Sequence, residues 1–219
     1  MKSAERFDST LSKESDLRVS LFEDIHVTSI GLDFEQLAHN EGFRFVAGID
    51  EVGRGCIAGP VVAGACILDA SKPLPDGLND SKKLSAKQRE EIAIELKQTA
   101  VAYSIGQVEA DEIDRINILE ATKVAMRIAI AALSPAADYL LIDALKLKGT
   151  SLPQRAIIKG DSISASIAAA SILAKTYRDD LMTAYDTEFP QFGFAGHKGY
   201  GCASHYTAIR SHGPCSLHR

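Results

Sequence analysis

A chain of 219 residues, 46% hydrophobic and 24% charged, has the size and composition of an ordinary globular protein with a full core. Its longest apolar run, residues 163–174, is interrupted by serines and too short to span a bilayer, and residues 1–8 form no apolar leader; a membrane protein is not expected, and the cytoplasm is the default location. The net charge of −5 does not advertise nucleic acid, yet it is unevenly spread: residues 1–41 hold nine acids and four bases, so residues 42–219 sum to zero.

In chain order, residues 1–40 are polar with short apolar patches at 19–22 and 25–30, and read as an accessory extension packed loosely on the body. Two strands follow at 43–51 and 60–68. The first runs into two adjacent acids, Asp50 and Glu51, and then into a glycine-framed arginine, Gly53-Arg54-Gly55. A dinucleotide fingerprint would need a third glycine three residues on and a helix opening there; Gly59 comes one residue late and precedes a strand, so that reading is weak. Residues 71–80 are a loop by their Pro, Gly, Asn and Asp content. Ser85 with Gln88 three residues on is a capping box, opening a helix to about residue 98.

A third strand is expected at 101–109. Apolar Ile113, Ile116, Leu119, Val124, Ile128 and Ala131 then predict one helix over 111–133. A short apolar strand, 139–142, ends on Asp143, and another, 156–159, ends just before Asp161. A long helix follows over 162–185, and the glycine-rich tail after Pro190 holds one helix near 204–211. The order β-β-α-β-α-β-β-α predicts an α/β fold, a mixed central sheet flanked by helices. Residues 41–185 form its core and 186–219 a small helical appendage. No apolar seam calls for an oligomer, and a monomer is expected. The four cysteines form no Cys-x-x-Cys pair; Cys202-x-x-His205 with His212-x-x-Cys215 is a minor zinc reading, because the two histidines lie seven apart on the expected helix.

The chemistry concentrates where strands end. Asp50 with Glu51, Asp143, and Asp161 close three separate strands, and side by side these would bring four carboxylates to one sheet edge. Hard divalent cations take such oxygen ligands, and two ions roughly 3.5–4 Å apart can clamp the attacking and leaving oxygens of a phosphoryl displacement. Adjacent strand residues point to opposite faces, so the strand is expected to end or bulge at Glu51, which Gly53 would ease. Basic residues cluster at Lys82, Lys83, Lys87 and Arg89, at Lys146, Lys148, Arg155 and Lys159, and at Lys175, Arg178 and Lys198. Each cluster alone is a solvated face; around an acidic centre they would form a phosphate-binding rim.

Gly48-Ile-Asp-Glu-Val-Gly-Arg-Gly55 with Ala58-Gly-Pro-Val-Val62, Asp80-Ser-Lys-Lys-Leu84, Lys159-Gly-Asp161, Ala168-Ala-Ala-Ser-Ile-Leu-Ala-Lys175 and His197-Lys-Gly-Tyr-Gly201 together resemble the signature blocks of type 2 ribonuclease H, or ribonuclease HII, in the family's order. The resemblance covers about residues 44–218. It implies a ribonuclease H-like fold with a C-terminal helical extension. It also implies Mg²⁺- or Mn²⁺-dependent cleavage, with two ions in the substrate complex, of RNA in RNA–DNA hybrids and on the 5′ side of single ribonucleotides in duplex DNA. It makes Asp50, Glu51, Asp143 and Asp161 the catalytic metal ligands. Gly53, Arg54 and Gly55 would meet the ribonucleotide 2′-OH and its phosphate, and Tyr200 the following deoxyribose. Lys82, Lys159, Lys175, His197 and Lys198 would be further substrate contacts. Two departures stand out: Ser162-Ile163-Ser164 lacks the basic residue the family commonly places two past the Asp, and Cys202 follows Gly201 where Thr is usual. Ala168-Ala-Ala-Ser171 also reads, without any resemblance, as a small-residue helix face for close packing on the sheet. Two other functions compete: a junction-binding module with structural metal only, and a resolvase- or integrase-like enzyme of the same fold.

Overall fold

The computed structural model describes residue 27 and residues 29–219, so the apolar patch at 19–22 and most of that at 25–30 lie outside the described residues. Five strands form one sheet in the order β3-β2-β1-β4-β5: β1 Val46–Val52, β2 Val61–Ile67, β3 Ala102–Val108, β4 Tyr139–Asp143 and β5 Gln154–Ile157. The first three pair antiparallel, while β4 lies parallel to both β1 and β5. This is the expected mixed sheet. Its helices are α1 Asp33–Asn40, α2 Ala86–Thr99, α3 Ala110–Ile116, α4 Ile118–Ala131, α5 Ala165–Glu188, α6 Phe194–His197 and α7 Ala203–His212.

Strand alternation assigns the two faces. Ala47 and Ile49 of β1 join Val61, Ala63, Ala65 and Ile67 of β2 and Leu140 and Ile142 of β4 under Ala121, Ala125, Met126 and Ala129 of α4. The opposite face receives α5, whose residues 165–174 are all buried. That approach is close because the sheet offers it no side chains: a Cβ on Gly48 would collide with the Ser166 backbone, and one on Gly64 with the Ala170 carbonyl. The small residues at 168–171 are the matching half of that packing.

Three expectations need correction. Residues 111–133 are two helices, broken at Asn117, which takes a left-handed φ of 68° and caps α4 by accepting from Leu119 N and Glu120 N. Asn tolerates that conformation better than most residues and is a strong cap, so the apolar periodicity ran through a break it could not reveal. Residues 31–40 are not loosely packed. Phe34 and Ala38 of α1 are buried with Val46, Tyr139, Leu141 and Ile167, and Gly31 bonds Ala165 through its carbonyl. Finally, β5 sits two residues earlier than expected, leaving Ile158 exposed and Lys159 left-handed before a 3-10 turn at Gly160–Ser162.

Candidate active site

Parallel pairing sets the centre. Val46 to Ile49 of β1 face Tyr139 to Ile142 of β4, so the next residue on each strand is an acid, Asp50 beside Asp143. The antiparallel register with β2 continues regularly through Glu51 opposite Ala63 and Val52 opposite Val62; the expected strand end or bulge is absent. Pairing with β4 stops at Ile142, however, so Glu51 has open sheet edge on that side, and its carboxylate reaches the same cavity as Asp50 and Asp143. That cavity, about 440 Å³, is also lined by Gly53, Arg54, Gly55, Ser81, Lys82, Lys175 and Tyr200.

The fourth acid lies behind this wall. Asp161 is buried on the 3-10 turn after β5 and accepts from Lys82 Nζ at 2.6 Å. Asp143 Oδ1 accepts from Gly160 N at 2.7 Å, which ties the Asp161 turn to the end of β4. Arg54 donates to Glu51 Oε1 at 3.0 Å, while Glu51 Oε2 is buried without a partner. Burial pushes the Asp50 carboxyl well above the ordinary carboxylate range, and its neighbours Glu51 and Asp143 add to the rise against a bond from Ser171. Asp143 is raised too, by burial first and then by Asp161 and Glu51.

Among the described residues no three His, Cys, Asp or Glu side chains are grouped tightly enough, as they stand, to enclose a metal ion. The chemistry of the donors nevertheless fits a hard divalent cation. They are all carboxylate oxygens, one buried oxygen has no donor, and two acids are crowded into a state that a cation would relieve. The cations now beside them, Lys82 and Arg54, are exposed side chains free to turn outward.

The remaining candidates divide. Lys82, Lys175 and Tyr200 line the cavity, with Lys175 Nζ bonded to Asp179 and Tyr200 43% exposed at the rim. Lys159 is exposed and off the cavity. His197 cannot take the phosphate role: Nδ1 accepts from Gly199 N and Nε2 donates to Phe192 O, so both nitrogens serve the fold. Lys198 donates to Thr183 Oγ1 and Asp179 O, in a neighbouring groove with Arg89. Arg178, expected on the basic rim, is fully buried. The zinc pattern also fails, since His205 bonds Tyr200 O and His218, and His212 only edges Phe192.

Sequence reasoning missed Ser171, which bonds Asp50 and lies 3.0 Å from Ser81. It also missed Glu35, whose Oε1 accepts from Ser164 Oγ, Ser166 N and Ser166 Oγ and so fixes the start of α5, three residues after Asp161. The serines at 164 and 166 were the available signal. Ser164 also caps α5 by accepting from Ile167 N.

Comparisons with known proteins give the family. The family model described as Ribonuclease HII matches residues 47–219. The chain is 54% identical over 188 residues to the ribonuclease HII of Syntrophotalea carbinolica, covering 86% of this chain and 90% of that one. It is 57% identical over 187 residues to that of Chlamydia caviae, covering 85% and 87%. Among solved structures, ribonuclease H2 from Pyrococcus horikoshii superposes with a TM-score of 0.67 at 27% identity, over 80% of this chain and 92% of that one. The ribonuclease HII in a PCNA complex from Archaeoglobus fulgidus gives the same score and identity, over 80% and 94%. The sheet and its flanking helices are thus shared with known ribonucleases H2 and HII, and the chain belongs to the ribonuclease HII family as a ribonuclease H enzyme.

Proposed function

We propose that this enzyme hydrolyses the RNA strand of RNA–DNA hybrids and cuts on the 5′ side of single ribonucleotides embedded in duplex DNA, leaving 3′-OH and 5′-phosphate ends. One observation carries the reading: a buried carboxylate centre and an open, glycine-framed loop share a single cavity, with an aromatic at its rim. Asp50, Glu51, Asp143 and Asp161 would hold Mg²⁺ or Mn²⁺. Bound there, two such ions would supply an activated water and neutralise the charge developing on the scissile phosphate.

The chain's own residues do the selecting. Only the 2′-OH distinguishes RNA from DNA at a junction. Gly53, at a φ of 92°, turns the backbone of this loop toward the cavity, and space beside Gly55 is open, so backbone groups can approach that hydroxyl without a Cβ between. Arg54, released from Glu51, is placed to meet the adjacent phosphate, and Lys82 and Lys175 add positive charge on the same wall. Tyr200 at the rim can lie against the next deoxyribose.

A duplex carrying one ribonucleotide, incubated with Mg²⁺, with Mn²⁺ and with chelator, tests the reading. Cleavage on the 5′ side of the ribonucleotide is expected with metal, and none on all-DNA duplex. Failure to cut with either ion, or equal cutting of all-DNA duplex, would sink it.

A further inference from the structure

Arg178 on α5 is fully buried, and among the described residues no carboxylate pairs with it. Its guanidinium is instead spent on backbone carbonyls. Nε donates to Pro60 O at 2.9 Å, Nη2 to Ala58 O at 3.1 Å, and Nη1 to Lys198 O at 2.8 Å. Those carbonyls come from two segments far apart in sequence. Ala58 and Pro60 end the loop that begins at Gly53; Lys198 opens the turn that carries Tyr200. The glycine loop also rests on the side chain itself, because a Cβ on Gly53 would collide with Arg178 Nε.

Direct bonds between the two segments complete the unit. Cys56 and Tyr200 form a bridge, Gly199 O accepts from Ile57 N at 2.9 Å, and Cys56 Sγ faces Lys198 O. A buried cation is costly to leave unpaired, and a planar fork can satisfy three fixed acceptors only when all three are in register. Movement of either segment away from the other strips an acceptor from the buried guanidinium and leaves an N–H unsatisfied.

We propose that Arg178 is a positioning residue for substrate choice: it locks the Gly53–Gly55 loop and Tyr200 at one spacing, so that the two read a ribonucleotide and the following deoxyribose as one unit. This rests on the reading above that the loop meets the 2′-OH and Tyr200 the next sugar. Arg178 touches neither substrate nor the acidic centre, so its effect falls on selectivity rather than on the chemical step.

The experiment compares cleavage at a single-ribonucleotide junction with cleavage within a long RNA tract, as a ratio, for the wild type and for Arg178→Lys, Tyr200→Ala and the double variant. The ratio cancels any change in folded fraction, since both substrates meet the same enzyme. Lysine keeps the charge but loses the fork, so the ratio is expected to fall about tenfold, within the range of one lost stacking contact. The double variant is expected to fall no further than Tyr200→Ala alone, because the two act through one contact. If Tyr200→Ala leaves the ratio unchanged, the junction reading itself fails. If Tyr200→Ala lowers it but Arg178→Lys does not, or the two losses add in full, the positioning role is overturned while the junction reading stands. An Arg178→Lys chain that does not fold at all would likewise overturn it and make Arg178 a stability residue only.

Discussion

Asp50 is costly to the fold and, on the proposed function, central to its use. It is 5% exposed on the face covered by α5, and Ser171 is its side-chain donor. Its raised carboxyl means that an ionised Asp50 destabilises the metal-free fold at neutral pH. Asn keeps the shape and can still accept from Ser171. In chelator at pH 7.5, Asp50→Asn is therefore expected to melt at or above the wild-type temperature. In Mg²⁺, the same variant should lose at least about a hundredfold in cleavage, roughly 2.7 kcal/mol of barrier, while binding the hybrid as well as before. Near-full activity would remove Asp50 from the metal site; a lower melting temperature would show that the carboxylate supports the fold rather than straining it.

At the scale of elements, α1 changes what the first forty residues do. Phe34 and Ala38 complete the core against β1, β4 and α5, and Glu35 gathers three donors at the start of α5. Burial of one Phe contributes about 1.5–3 kcal/mol, and hydrogen bonds to a charged group about 1.5–3 kcal/mol each. A chain starting at Glu41 is thus expected to melt at least about 10 °C below one starting at Gly31, at about 2–4 °C per kcal/mol for this size. It should also lose cleavage, because the Asp161 turn is braced by Ser164. Equal melting temperatures for the two would mean that α1 is accessory after all. Sequence legibility follows the same division. The strands, the Ser85–Gln88 capping box and the meeting of Asp50, Glu51 and Asp143 in one cavity were readable, because local pattern and strand ends decide them. The break at Asn117, the docking of α1 and the burial of Arg178 were not. The last two are decided by partners distant in sequence, whereas Asn117 is a local cap hidden inside continuous apolar periodicity: Arg178 looked like one more surface base beside Lys175 until the carbonyls of residues 58, 60 and 198 were brought to it.

Across the whole molecule, the last residues are fastened back onto the glycine loop, and the fastening contains histidines. Gly59 N donates to Leu217 O, Arg219 N donates to Ile57 O, and Ala58 bridges His218, so the last residues run alongside the glycine loop. Behind them a chain of imidazoles makes consistent sense only when neutral. Cys215 N donates to His218 Nδ1, leaving His218 Nε2 to donate to His205 Nε2 at 3.1 Å and His205 Nδ1 to donate to Tyr200 O at 2.9 Å. His197 stacks on His205 at 4.1 Å, Phe192 and Phe194 pack on the His218 ring, and Cys215 Sγ lies beside it. A proton on His205 Nε2 sets N–H against N–H, and one on His218 Nδ1 faces the Cys215 N–H, relieved only in part by Cys215 O at 3.3 Å. Burial, with the neighbouring imidazoles, holds His205 and His218 below the ordinary 6.5. The unfolded chain therefore binds protons first as pH falls through 6.5, and stability present above that value is lost until the depressed folded values are passed. Melting temperature should drop between pH 7.5 and 5.5 in the wild type, and drop less in His218→Phe, which keeps the ring packing but removes one titrating group. A difference of about 3 °C between the two drops corresponds to about 1 kcal/mol. Parallel drops would show that other groups set the acid response and that the histidine chain is not what fastens the appendage to the loop.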